Sequence, residues 1–103
     1  MISFFAFWPQ PNGLNYNLTV SGTSAKQQLA QGRTYRLWSN TDCYVRQFLS
    51  SNAASGNDTA TVADIFVPAR SPMVLLLDKY DSIAVVQATT GGILGICEMQ
   101  NPL

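Results

Sequence analysis

Apolar and polar residues alternate with a period of two along much of this chain. Leu14, Tyr16, Leu18 and Val20 are separated by Asn15, Asn17 and Thr19, the pattern of a strand with one buried and one wet face. Tyr35 and Leu37 flank Arg36, and Cys43 and Val45 alternate with Tyr44 and Arg46. That parity sends Cys43 and Val45 inward and leaves Tyr44, Arg46 and Phe48 on the other face, where two aromatics need a loop or a partner over them. The turn-forming Ser39-Asn40-Thr41-Asp42 between these two strands predicts a hairpin.

Further along, Ser50–Thr61 holds small polar residues and a glycine, which predicts an exposed loop. Strand sequence returns at Ala63–Val67, and Pro68 and Pro72 bracket a break that marks a strand edge or corner, since proline withholds a ladder hydrogen bond. Met73–Leu77 is a continuous apolar run, expected to be a strand covered on both faces. Asp78–Asp81 reads as a turn and Ser82–Ala88 as a β-branched strand. Thr89-Thr90-Gly91-Gly92 reads as a hairpin turn in which consecutive glycines permit positive φ, and Ile93–Met99 closes the domain. Ser24–Ala30 is either a short helix or a strand. The count is about eight strands with turns roughly every 8–12 residues. The expected fold is therefore all-β: one compact antiparallel sandwich, jelly-roll-like, over residues 14–103. Residues 1–13 stand apart as an N-terminal aromatic arm or an edge strand, joined through the stiff Trp8-Pro9-Gln10-Pro11-Asn12-Gly13 connector.

Length and charge narrow the class. A chain of 103 residues builds one domain with one modest core. Charged residues make up 12%, about half of the usual ~25%, so solubility rests on Ser, Thr, Asn and Gln or on partners that cover the surface. Lys and Arg together number 6, as do Asp and Glu, so the basic excess of a nucleic-acid binder is missing. Arg33, Arg36 and Arg46 interleave with Tyr35, Trp38 and Tyr44 as a stacking platform would, but no further positive field supports that reading. The apolar start, Met1–Trp8, lacks a basic leader and stops at Pro9, so it is not read as a signal peptide. No stretch approaches the ~20 apolar residues of a membrane span. A host cytoplasm is the expected site of synthesis, and Cys43 and Cys97 are expected there as free thiols, with Cys43 and Cys97 pairing only if their strands are neighbours.

The chain carries little that does chemistry. It has no histidine, which removes the usual base of a nucleophilic triad. Lys26 and Lys79 sit in polar stretches, unlike a desolvated, activated lysine. Asp64, Asp78, Asp81 and Glu98 are scattered singly and show no catalytic pairing. Two distant cysteines do not make a zinc set. Asn57 and Asp58 match no EF-hand spacing, and Gly91-Gly92 with Gly95 lacks the lysine and helix of a phosphate loop. No catalytic residue, metal or cofactor is therefore expected, and the protein is read as a surface and not an enzyme.

The segments at residues 32–47, 66–72, 81–87 and 91–92 (Gly-x-Thr-Tyr-Arg-Leu-Trp-Ser-x-Thr-Asp-Cys-Tyr-Val-Arg-Gln, Phe-Val-Pro-Ala-x-x-Pro, Asp-x-Ile-Ala-Val-Val-Gln, Gly-Gly) resemble those of small all-β head proteins of tailed bacteriophages. The resemblance implies a virion structural protein that decorates or cements the outside of a capsid. Its partners would be the major capsid protein and further copies of itself, as a dimer or trimer, with neither nucleic acid nor membrane. The expected contact residues are Phe4, Phe5, Phe7 and Trp8, with Asn57 and Asp58 of the long loop and outward-facing Tyr44 and Arg46 as a second surface. Two other readings stay open. One is a neck or tail connector subunit. The other is a carbohydrate- or receptor-binding module of a tail or fibre, reading sugars with Trp38, Tyr44 and Tyr80 on one face.

Overall fold

The computed structural model describes residues 8–9, 15–51 and 56–100. Its strands are β1 (Trp8–Pro9), β2 (Asn15–Val20), β3 (Ala25–Gln28), β4 (Thr34–Ser39), β5 (Cys43–Phe48), β6 (Ile65–Val67), β7 (Met73–Leu76), β8 (Ser82–Gln87) and β9 (Gly92–Gln100). Their pairing follows one long antiparallel hairpin. β5 pairs β6 at its tip, then β4 pairs β7, β3 pairs β8 and β2 pairs β9. Cys43 faces Val67, Thr34 faces Leu76 and Ala25 faces Val85. Each of these pairs sums to the same residue number, so the two arms stay in step from the tip outward. Rolling this hairpin lays β4 along β9 and β5 along β8. Two antiparallel sheets result, β2-β9-β4-β7 and β3-β8-β5-β6, which is the eight-stranded jelly roll. β1 pairs with the far end of β9, Trp8 opposite Gln100 and Pro9 opposite Met99, on the side that β2 also occupies. Phe4, Phe5 and Phe7 lie outside the described residues.

The period-two pattern fills the space between the sheets. Leu18 and Val20 of β2, Tyr35 and Leu37 of β4, Cys43 and Val45 of β5, Ile83 and Val85 of β8, and Leu94 and Ile96 of β9 form one core. Cys43 points into it, whereas Cys97 sits in the other sheet with its neighbours Ile96 and Glu98 turned inward; both are free thiols.

Four local expectations are corrected. Ser39–Asp42 and Thr89–Gly92 do not close hairpins; each carries the chain from one sheet to the other. Turn composition is common to hairpins and corners, and here side chains build the corner. Ser39 Oγ donates to Thr41 O and accepts from Thr41 N–H, while Thr41 Oγ1 donates to Thr90 O at 2.9 Å. Gly91 and Gly92 do not use positive φ, which among glycines is found at Gly32 and Gly56. They are needed for close approach: a Cβ on Gly91 would stand 2.8 Å from Val20 O, and one on Gly92 would collide with the Asn40 and Thr41 side chains. The stretch around Ala25 is a strand. Met73–Leu77 is covered on one face only: Leu77 is buried and Met73 and Leu75 pack on the core, but Val74 and Leu76 are exposed. β7 is the last strand of its sheet, so apolar residues in a continuous run still divide between core and surface.

The long loop is exposed at Gly56, Asn57, Thr59 and Thr61, as expected, but it is anchored at Ala60. Residues 56–64 lie across the outer face of the β3-β8-β5-β6 sheet. Ala60 is buried against Phe48 and Ala84, and its N–H donates to Ser24 Oγ at 2.9 Å. Small polar residues are ordered here because the sheet beneath supplies both the apolar contact and the hydrogen-bond partners. Arg70, in the corner between β6 and β7, adopts φ 59°, a left-handed conformation held by its N–H bond to Ser39 O at 2.7 Å.

Candidate functional site

Two outward faces and the open sides of the sandwich make up the surface available for binding. On the β3-β8-β5-β6 sheet, alternation along β5 turns Tyr44, Arg46 and Phe48 outward. Tyr44 faces Phe66 across the β5–β6 ladder, with ring centroids 5.5 Å apart and planes tilted by 54°, a favourable aromatic geometry. Arg46 Nε donates to both carboxylate oxygens of Asp64, at 3.0 and 3.1 Å. Asp64 in turn accepts from Thr61 N–H at 2.7 Å. Lys26 Nζ donates to Asp58 at 2.6 Å, and that bond is the main reason the Asp58 carboxyl lies below the usual carboxylate range. Phe48 is covered by the loop.

The structure places Tyr44, Arg46, Asn57 and Asp58 on the same side of the β3-β8-β5-β6 sheet. Their tasks differ. Arg46 and Asp58 are engaged in clamps that hold the loop on the sheet. Asn57 lines a shallow hollow of about 290 Å³ with Arg46, Gln47 and Tyr80, and a neighbouring hollow of about 450 Å³ runs along Arg46, Asp64 and Ile65.

One open side of the sandwich is formed by β6 and β7, terminal strands of their sheets joined by only the corner at 68–72, while β2 and β3 end the sheets on the opposite side. Ile65 and Phe66 of β6 and Val74 and Leu76 of β7 keep 40–55% of their surface exposed; Phe66 shares the outer face of its sheet with Tyr44, and Val74 shares that of the other sheet with Arg36. The prolines at 68 and 72 mark a strand edge or corner in the sequence, but the run at 73–77 reads as covered on both faces, and strand order alone tells an edge from a centre.

The β2-β9-β4-β7 sheet turns Trp38, Arg36, Gly95, Asn15 and Asn17 outward. Trp38 lies there and Tyr44 and Tyr80 lie on the other side, so the three aromatics expected on one sugar-reading face do not share one. Nor do the arginines form a stacking platform: Tyr35 is buried, Arg46 is paired with Asp64, and Arg33 Nη1 is 3.5 Å from Glu98 Oε2.

The one chemically unusual group is interior. Glu98 is buried, and Tyr35 Oη donates to its Oε1 at 3.2 Å while accepting from Ala30 N–H at 2.8 Å. Burial pushes the Tyr35 hydroxyl up to about 12. This cluster ties β4 to β9 and to the β3–β4 connection, and its reacting atoms are closed to a substrate. Among the described residues no three His, Cys, Asp or Glu side chains cluster as a metal site would need, and no helix is long and apolar enough to cross a membrane.

The fold and its surfaces define an antiparallel jelly-roll domain with exposed apolar edge strands. No family model matches the chain, and no curated protein or solved structure matches it.

Proposed function

We propose that this protein is a non-enzymatic structural subunit of a phage virion, binding the outside of the capsid and stabilising contacts between capsomers. The observation that carries the reading is the open side of the sandwich at β6 and β7. Two adjacent edge strands offer unpaired backbone groups together with Ile65, Phe66, Val74 and Leu76. A short edge beside apolar side chains is suited to adding a strand from a partner, and exposed apolar clusters mark interaction surfaces. The low charge lets many copies crowd together without strong repulsion, and contacts that are individually weak become firm when repeated over a symmetric shell. The resemblance of residues 32–47, 66–72, 81–87 and 91–92 to phage head proteins supports the same partner, the major capsid protein, with self-association as dimer or trimer. Synthesis in the host cytoplasm and residence on the capsid surface follow from that reading.

The test is stoichiometry. In purified particles from the source, quantitative mass spectrometry is expected to find this chain in a ratio to the shell protein near one or a simple fraction such as one third. About a dozen copies per particle would assign it to the neck or tail instead. Its absence from the particle would overturn the structural reading.

A further inference from the structure

The outer face of the β2-β9-β4-β7 sheet carries a second binding feature, besides the open side at β6 and β7. Trp38 on β4 is opposite Gly95 on β9, and Gly95 is opposite Asn17 on β2. Trp38 keeps 39% of its surface exposed. One step along the same face, Arg36, Cys97 and Asn15 form the next row. Between them lies a hollow of about 200 Å³ bounded by Trp38, Arg36, Asn15, Asn17, Gly95 and Cys97.

Gly95 is the informative residue. A glycine in the middle of a central strand weakens it and often marks the close approach of a ligand or another backbone. Here neither conformation nor packing asks for one. Gly95 is not among the positive-φ glycines, and a Cβ would meet only ordinary contacts, 3.5 Å from Trp38 O and 3.6 Å from Asn17 Oδ1. What the missing side chain provides is the open floor of the hollow, beside the indole. Around that floor stand two amides and a guanidinium. Among the described residues Arg36 has no carboxylate partner and the Asn15 and Asn17 side chains make no hydrogen bond.

We propose that this shelf binds a hexopyranose ring of a polysaccharide. The C–H face of the sugar would stack on Trp38, with its opposite edge over Gly95. Asn15 and Asn17 offer donors and acceptors to the ring hydroxyls, and Arg36 offers a forked donor to hydroxyls or to a sugar carboxylate. The hollow is smaller than the roughly 300–1,000 Å³ of an enclosing ligand pocket, so it takes one ring of a polymer and leaves the rest in solvent. All of these groups sit on paired strands, which hold them in place before the ligand arrives. A single stacked ring gives a dissociation constant on the order of 1 mM, and repetition over many copies would raise the avidity. The site does not depend on attachment to a capsid.

The test is affinity electrophoresis of the full chain in native gels cast with dextran, mannan, galactan or alginate. Wild type is expected to be retarded by at least one of them, with alginate singled out if Arg36 reads a carboxylate. Trp38→Ala should abolish the retardation. Gly95→Val, whose side chain fills the floor, should do the same while keeping the wild-type circular dichroism. Val62→Thr, exposed in the loop over the other sheet, should leave it unchanged. Free mobility of wild type in all four gels, or retardation that survives both shelf variants, would overturn the proposal. So would tighter binding of a labelled deoxythymidine oligomer than of any polysaccharide, which would make the shelf a platform for bases.

Discussion

Tyr35 shows how one residue of a strand pattern can hold more than a core position. Its ring fills the sandwich and its hydroxyl satisfies both Ala30 N–H and Glu98. Tyr35→Phe keeps the ring and removes the hydroxyl shared by the half-buried Ala30 N–H and the buried Glu98 Oε1, so the expected loss is about 1–3 kcal/mol, read from urea unfolding at neutral pH. The hydroxyl also sets a pH dependence. Its folded pKa lies at about 12, above the ordinary 10, so the unfolded chain releases this proton first. The stabilisation is fully present below pH 10 and is lost as pH rises toward 12, by up to about 3 kcal/mol. The difference in stability between wild type and Tyr35→Phe should therefore shrink across that window, and parallel curves would refute the linkage.

Corners and covers operate at the scale of elements. Gly92 lies where Asn40 and Thr41 from the β4–β5 corner pack against the start of β9, and Asn40 Oδ1 accepts from Ile93 N–H at 2.9 Å. Gly92→Ala forces these side chains apart and should cost about 1–3 kcal/mol, seen as a lowered melting temperature. Gly95→Ala, in the same strand but with space for its methyl, should be much milder. The loop over the other sheet depends on Asp64, which joins Arg46 to Thr61. Asp64→Ala should free that segment without unfolding the core. Hydrogen exchange at Ala60 N–H is expected to speed up at least tenfold while Val45 and Val85 amides keep their protection. Uniform acceleration would mean the loop is part of the global unit.

For the whole molecule, the two sheets and the nested hairpin leave β6 and β7 side by side at one edge, and that edge is where assembly is expected. The double variant Phe66→Ser, Leu76→Lys removes apolar surface from both strands without touching the core. It should fold as wild type does and lose binding to capsids stripped of this protein by tenfold or more in a co-sedimentation assay. Unchanged binding would move the contact to another surface, with the outer face of the β2-β9-β4-β7 sheet next in line.

Alternation in the sequence determined the strands around 14–20, 35–37 and 43–46 and their inward residues, because side-chain direction in a strand is a local property with a period of two, and with β-branched composition at 82–88 it determined the all-β class. The outward placement of Tyr44 and Arg46 was legible for the same reason. Partner choice was not. Ser39–Asp42 and Thr89–Gly92 have turn chemistry whether the next strand pairs or crosses to the other sheet, and only the rolling of the hairpin decides between them. Strand order alone made Met73–Leu76 an edge, set Trp38 across from Gly95 and Asn17, and separated Trp38 from Tyr44. The candidate sites therefore rest on tertiary structure: their residues become neighbours through ladder register across 20 to 82 positions of sequence, from Val45 and Ile65 to Asn15 and Cys97, a long-range relation that no local pattern encodes.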